Sequence, residues 1–268
     1  MSKKIKVSFE DSRVVEVDYK TKAIDALKIV ENDLSDILGL KINNEVKDYN
    51  YELVKDSSIE FIGFQSDDGY RIYSRTLKMV LYMALTSLYS YVDLEFLATI
   101  NKDQFFVTNN LELTEDKLKE IKDKMIEIIN KNYPITKRNV PIEEATVLYT
   151  ASNDADKLDN IENKLRSSVT MYFCEGMYNY FYGLLAPSTG YVKTFDLIKY
   201  REGALLVIPD GNMNTKKEVT EDRLYDTFIK FNHLNSVIGI ENVGNLNEKI
   251  LKNKINSVIQ VSEAIHQR

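Results

Sequence analysis

Ile5-Lys-Val-Ser-Phe-Glu-Asp-Ser-Arg-Val-Val-Glu-Val17 decides how the N-terminal segment folds. Ile5, Val7 and Phe9 alternate with Lys6 and Ser8, and Val15 and Val17 flank Glu16. That period of two belongs to a strand with one buried face. Glu10-Asp-Ser12 is a turn cluster, so the stretch predicts a hairpin. Working outward, Thr21 offers a cap for a helix carrying Ala23, Ile24, Leu27 and Val30 at helical spacing. Gly39 marks a break, and Lys41-Ile-Asn-Asn-Glu-Val46 predicts a strand and a tight turn. Asp56-Ser-Ser58 predicts a turn before a strand with Ile59, Phe61 and Ile62. The order strand, strand, helix, strand, strand suits a small sheet packed on one helix.

Beyond it, Asp67-Asp-Gly69 reads as a boundary. Residues 70–90 predict a long amphipathic helix with Leu77, Val80, Leu81, Ala84, Leu85 and Leu88 on one face. Phe105-Phe-Val107 predicts a strand. Thr114 caps a second helix with Glu115 and Asp116 in its first turn, where carboxylates favour the helix dipole. Leu118, Ile121, Met125, Ile128 and Ile129 form its buried stripe, and Pro134 follows its end. A short helix spans Glu143 to Tyr149, and the polar run Ser152 to Asn163 is a loop or a solvated helix. Strands are expected at Val169–Phe173, Met177–Tyr182, Val192–Leu197 and Ala204–Ile208, from aromatic and β-branched content. From Glu221 the pattern is helical. Ala264-Ile-His-Gln-Arg268 carries no Gly or Asn cap, as expected for a helix cut before its end.

The fold class expected from this order is α+β: a small β-sheet domain, an α+β domain with an antiparallel sheet, then C-terminal helices. The 268 residues are 44% hydrophobic and 28% charged, which is ordinary for a globular chain. Thirty-five basic against 41 acidic residues give a net charge of −6, which excludes a strongly basic nucleic-acid protein but not a local basic patch. One cysteine, Cys174, excludes an internal disulfide framework and a cysteine-rich zinc site. Two histidines, His233 and His266, leave little imidazole for acid–base work or metal binding, so no metal site is expected. No run of about 18 apolar residues is present, no membrane span is expected, and the chain opens directly into a strand pattern. The expected location is the cytoplasm.

Two segments carry a resemblance. Ile5-Lys-Val-Ser-Phe-Glu-Asp-Ser12, Ile42-Asn-Asn-Glu-Val-Lys-Asp48 and Leu53-Val-Lys-Asp-Ser-Ser-Ile-Glu-Phe-Ile62 resemble the TGS domain, the β-grasp module at the start of threonyl-tRNA synthetases. Residues from 67 to about 210 resemble the second additional domain of the same synthetases, best seen in Lys131-Asn-Tyr-Pro-Ile-Thr-Lys-Arg-Asn-Val-Pro-Ile-Glu-Glu-Ala145. In those enzymes that domain hydrolyses mischarged tRNA, with His-x-x-x-His on a long helix and Cys-x-x-x-His on a later strand region. Residues four apart share one helix face. Here Asp68-Gly-Tyr-Arg-Ile-Tyr-Ser-Arg75 aligns with the helix pattern, which puts the two histidine positions at Arg75 and Met79. The second motif reads Cys174-Glu-Gly-Met-Tyr178, and only Cys174 survives. Arg stays protonated in proteins, Met transfers no proton, and a phenol is a poor base at neutral pH. The resemblance therefore implies a degraded editing pocket with no catalytic residues, in which Arg75, Met79, Cys174 and Tyr178 are candidate ligand-binding residues. Arg75 beside Cys174 would form an anion or phosphate pocket, or packing closes the pocket with Met79 in the core.

Val243-Gly-Asn-Leu-Asn-Glu248 and Ile259-Gln-Val-Ser-Glu-Ala-Ile-His266 resemble the helical segment of clostridial-type uridine kinase/phosphoribulokinase-like proteins. Those proteins run TGS domain, synthetase-like domain, helical connector, kinase domain. The resemblance implies divisions at 1–64, 65–220 and 221–268, and a non-catalytic regulatory or ligand-binding region whose kinase domain is absent. It assigns no cofactor to this chain, ATP and magnesium being those of the kinase domain, and it implies a nucleotide or RNA ligand and that kinase domain as partners. No Gly-x-x-x-x-Gly-Lys-Ser/Thr occurs, so this chain alone lacks the loop that cradles phosphates for transfer. The alternative is a tRNA- or RNA-binding module, or a freestanding hydrolase of mischarged tRNA. Tyr172, Tyr178, Tyr180, Tyr182, Tyr191 and Tyr200 are dense in the strand region, where they either stack bases or pack the sheet.

Overall fold

A computed structural model describes residues 3–90, 92–151, 158, 167–215, 222–240 and 243–266. The chain divides into two compact units, Met1–Thr136 with Tyr172–Lys217, and Lys137–Met171 with Glu218–Arg268. The fold class is α+β, as the sequence predicts.

The first unit opens with the hairpin β1 (Lys4–Phe9) and β2 (Val14–Asp18), in antiparallel register Ile5 to Val17 and Val7 to Val15. Helix α1 (Ala23–Val30) follows, then β3 (Gly39–Ile42), β4 (Glu45–Lys47) and β5 (Ser57–Ile62). The sheet order β2-β1-β5-β3-β4, with β1 and β5 parallel, is that of a β-grasp. Ala23, Ala26 and Leu27 of α1 pack on Ile5, Val7, Phe9 and Ile59 in one buried cluster. Asn43 and Asn44 both take positive φ, 50° and 67°, the backbone of a tight hairpin turn between β3 and β4.

Some local expectations give way. The cap of α1 is Lys22 without a side-chain hydrogen bond, not Thr21. Gly39 is the first residue of β3 rather than a break before it, and a side chain there would press on Leu184 and Ile72, 3.0 and 3.1 Å from its Cβ position. Ser57 and Ser58 lie in β5, not in a turn.

The same unit continues with α2 (Asp67–Tyr89), β6 (Leu94–Ile100), β7 (Asp103–Thr108) and α3 (Glu115–Lys131). Asp67-Asp-Gly69, read from the sequence as a boundary, forms the first turn of α2: Ser66 Oγ accepts from Gly69 N at 3.1 Å, and two aspartates sit at the positive end of the helix dipole. Thr114 caps α3 as expected, and Asn132 closes it in the left-handed conformation. β11 (Asp196–Tyr200) and β12 (Gly203–Val207) complete an antiparallel sheet of order β11-β12-β7-β6. All five residues of β12 are buried, as befits an interior strand. Of the strand predicted over Val192–Leu197 only Asp196 and Leu197 are strand, at the start of β11; residues 192–195 are irregular and follow a 3-10 turn, Thr189–Tyr191, in which buried Thr189 donates to Ile128 O at 2.9 Å and accepts from Tyr133 N at 2.9 Å. The sequence reading passes over β6, although Leu94, Phe96, Ala98 and Ile100 alternate with Glu95 and Thr99; its register shifts at a bulge between Phe96 and Ala98.

Thr76, fully buried on α2, latches the segment after Gly183. Its hydroxyl accepts from Ala186 N at 2.9 Å and donates to Ile72 O at 2.8 Å. Thr76→Val keeps the shape and removes the acceptor, leaving a buried N–H without it. Stability is expected to fall by about 1–3 kcal/mol, read as a lower urea midpoint at unchanged slope.

The second unit holds residues 137–141 of β8 (Thr136–Pro141) and 168–171 of β9 (Ser168–Cys174), which are hydrogen-bonded neighbours, and α4 (Ile142–Ala151), which follows β8. Val140, Ala145, Tyr149, Val169 and Met171 are buried. Helices α5 (Asp222–Val237), α6 (Val243–Leu251) and α7 (Ile255–His266) bear out the helical pattern after Glu221. Gly239 takes a positive φ of 63° after α5, and Lys249 Nζ donates to Ile238 O at 2.6 Å. The run 152–163, apart from Leu158, and the side chains of His233 and His266 lie outside the described residues.

Candidate functional site

The site is built on α2. From Ile72 to Leu85 every residue of this helix is buried except Arg75, Lys78 and Tyr82. Spacings of three and four residues place these three on one stripe. The helix is otherwise surrounded by core, so the stripe is a polar window in an apolar wall. Met79 is fully buried in the same apolar cluster as Cys174. The helix therefore keeps the position four residues after Arg75 in the core and turns the position three residues after it outward.

Each cation of the window meets a different neighbour. The Lys78 ammonium sits 4.5 Å from the centroid of the Phe96 ring on β6. The Arg75 guanidinium lies against Gly183, where an added Cβ would fall 2.5 Å from its central carbon. Gly183 is held from the other side, because Tyr172 Oη donates to its carbonyl at 2.7 Å. Its φ of 121° is backbone that only glycine adopts without strain. Glycine here thus serves both the loop conformation and the room for Arg75.

Burial governs the electrostatics. It pulls Lys78 down to about 8, helped by the nearby positive charge of Arg75. It also lowers Arg75, with Tyr172 opposing and Arg71 reinforcing, though a guanidinium remains charged at any ordinary pH. Among the described residues no carboxylate forms an ion pair with Arg75 or Lys78; Asp68 pairs with Arg71 at 3.6 Å and lends Arg75 only a weaker attraction. Burial, then Glu175, pushes the Cys174 thiol up to about 11, away from the thiolate a nucleophile needs.

Cys174 ends β9, and Glu175 and Gly176, with φ of 47° and 77°, turn the chain into β10 (Met177–Tyr180). Tyr178 is half-buried, its ring 6.1 Å from that of Phe173. The structure thus gathers Met79 and Cys174 in the core, sets Arg75 beside Gly183, and places the Tyr178 ring tilted at 44° against that of Phe173. The tyrosine cluster divides as well: Tyr172 is buried, and Tyr182 is 69% exposed beside Tyr180, their rings 5.7 Å apart. Sequence reading missed Lys78 and Gly183. A lysine three residues from Arg75 inside an apolar helix was the signal for the first. The second has none, because the closeness of Gly183 to Arg75 exists only in three dimensions.

The arrangement offers two cationic donors, of which only the Lys78 amine, pulled down to about 8, can also take up a proton near neutral pH. Among the described residues no group of three or more His, Cys, Asp or Glu side chains is placed to hold a metal ion. None of the described helices is long and apolar enough to cross a membrane.

A β-grasp followed by an α+β domain with a long central helix is the architecture the sequence resemblance implies. Threonine–tRNA ligase of Clostridium kluyveri is 28% identical over 197 residues, covering 72% of this chain and 31% of the relative. That of Petrotoga mobilis is 32% identical over 199 residues, with the same coverage of each, and that of Clostridium botulinum strain Langeland 29% over 197. No protein-family model matches the chain. The chain is distantly homologous to a region of threonine–tRNA ligases and spans about a third of the length of the curated relatives it matches. These relatives lend no support to a uridine kinase-like parent.

Proposed function

We propose that this chain is a tRNA-binding module descended from the threonyl-tRNA synthetase N-terminal region, which holds tRNA and does not hydrolyse the aminoacyl ester of a mischarged one. The observation that carries this reading is the homology to threonine–tRNA ligases over 72% of the chain. The chemistry of the site then argues for binding over hydrolysis. Where the resemblance expects two histidines the chain has a charged arginine and a buried methionine, and the cysteine is protonated at neutral pH. With a net charge of −6, binding must come from local cations rather than the overall field. The regulatory role toward a uridine kinase-like domain, with its ATP and magnesium, rests on the resemblance of residues 243–248 and 259–266 alone and is the lesser reading.

The test is fluorescence anisotropy with deacylated tRNA across a salt series, beside an assay of amino-acid release from mischarged tRNA. Affinity should fall with salt at a log–log slope of about −2, as for two or three phosphate contacts. No release above the buffer rate should be seen. Release that disappears in Cys174→Ala would instead establish a hydrolase, and absence of tRNA binding at low salt would remove the RNA reading.

A further inference from the structure

We infer that Arg75 and Lys78 form a phosphate-binding site in the polar window of α2. The inference deepens the reading above by naming the group bound, and rests on it only in taking RNA as the bearer of that phosphate.

Three observations converge on it. The two cations are the only charged residues along the stretch of helix from Ile72 to Leu85, and both are half-buried where, Tyr82 apart, the rest of it is buried. Neither is paired with a carboxylate among the described residues. Two partly desolvated like charges on neighbouring turns repel each other and have lost part of their water, so an anion between them relieves both penalties. Their surroundings also shape the site. Gly183 leaves the guanidinium room, while the Phe96 ring supports the ammonium. A guanidinium grips two oxygens of a carboxylate or a phosphate equally well, but a phosphate keeps a third oxygen and more negative charge for the ammonium, so the pair of cations favours phosphate over a carboxylate.

The test uses the full chain at pH 7. Inorganic phosphate, adenosine 5′-monophosphate and acetate are titrated by isothermal calorimetry and 31P or 13C NMR, and deacylated tRNA by anisotropy. Phosphate and the nucleotide should bind at least fivefold more tightly than acetate. Arg75→Ala and Lys78→Met should each weaken phosphate binding at least fivefold, while Lys78→Arg should retain it; circular dichroism confirms that each variant folds. Equal binding of acetate, or phosphate binding unchanged in both variants, overturns the inference. If phosphate binds at this pair and tRNA does not bind at all, the site stands and the RNA reading falls. If tRNA binds equally well to wild type, Arg75→Ala and Lys78→Met, the RNA reading stands and the site falls.

Discussion

Replacing Lys78 by methionine is expected to raise the stability of the protein by about 2 kcal/mol at pH 7. Holding the ammonium at about 8 instead of its ordinary 10.5 corresponds to about 3 kcal/mol of disfavoured charge. The attraction to the Phe96 ring, which methionine replaces by an ordinary apolar contact, returns about 1 kcal/mol of it. Methionine matches the lysine stem in length and suits a largely buried position. The pH dependence follows from linkage. The unfolded chain holds the Lys78 proton up to about pH 10.5 and the folded chain releases it near 8. Between those values the unfolded state binds more protons, so this group makes stability rise with pH. The advantage of Lys78→Met is therefore full below pH 8, about half lost by pH 9, and gone near pH 10.5. Cys174 and Tyr172, held up at about 11 and 12, act in the opposite sense above pH 9, but they are common to both proteins and cancel in the difference. Urea unfolding of the two proteins from pH 7 to 10 checks this. An equal or lower stability of Lys78→Met at pH 7 would show that the ammonium is not a burden to the fold. A residue whose removal stabilises the protein while weakening phosphate binding is one kept for what it binds.

Gly183→Ala is expected to lower stability by about 2–3 kcal/mol and phosphate affinity at least tenfold. Two effects add. A φ of 121° strains any residue with a Cβ, at about 1–3 kcal/mol. The new methyl would also stand 2.5–2.8 Å from three atoms of the Arg75 guanidinium, which must leave its place. Gly176→Asn is the control. Gly176 has a φ of 77° but nothing within 4 Å of its Cβ position, and asparagine tolerates left-handed backbone. That variant should lose no more than about 1 kcal/mol and bind phosphate normally. Similar binding losses in both glycine variants would mean that the contact between Gly183 and Arg75 does not hold the guanidinium in place.

The elements legible in the sequence are those whose pattern is local. The β1–β2 hairpin follows from its alternation, and α3 from its stripe and its Thr114 cap. Both survive because the buried face they present is the face the pattern marks. The misreadings fall where a tertiary contact overrides local preference. Residues 192–195 look like a strand, but the hydrogen bonds of Thr189 to Ile128 and Tyr133 hold the preceding segment in a tight turn. Gly39 looks like a breaker, and it is a strand residue that lies close to Leu184 and Ile72.

The candidate site divides in the same way. Sequence alone determined that the chain has no phosphate-cradling loop, that imidazole is missing from the positions where the synthetase resemblance expects it, and that Arg75 stands in place of the first. Only the tertiary structure decided that Met79 and Cys174 belong to the core, and that Lys78 rather than Met79 is the uncovered neighbour of Arg75. The physical reason is that a sequence fixes which residues lie three or four apart on a helix. How much of that helix is covered depends on strands and loops contributed by residues far along the chain, and burial then sets the charge state of what remains uncovered.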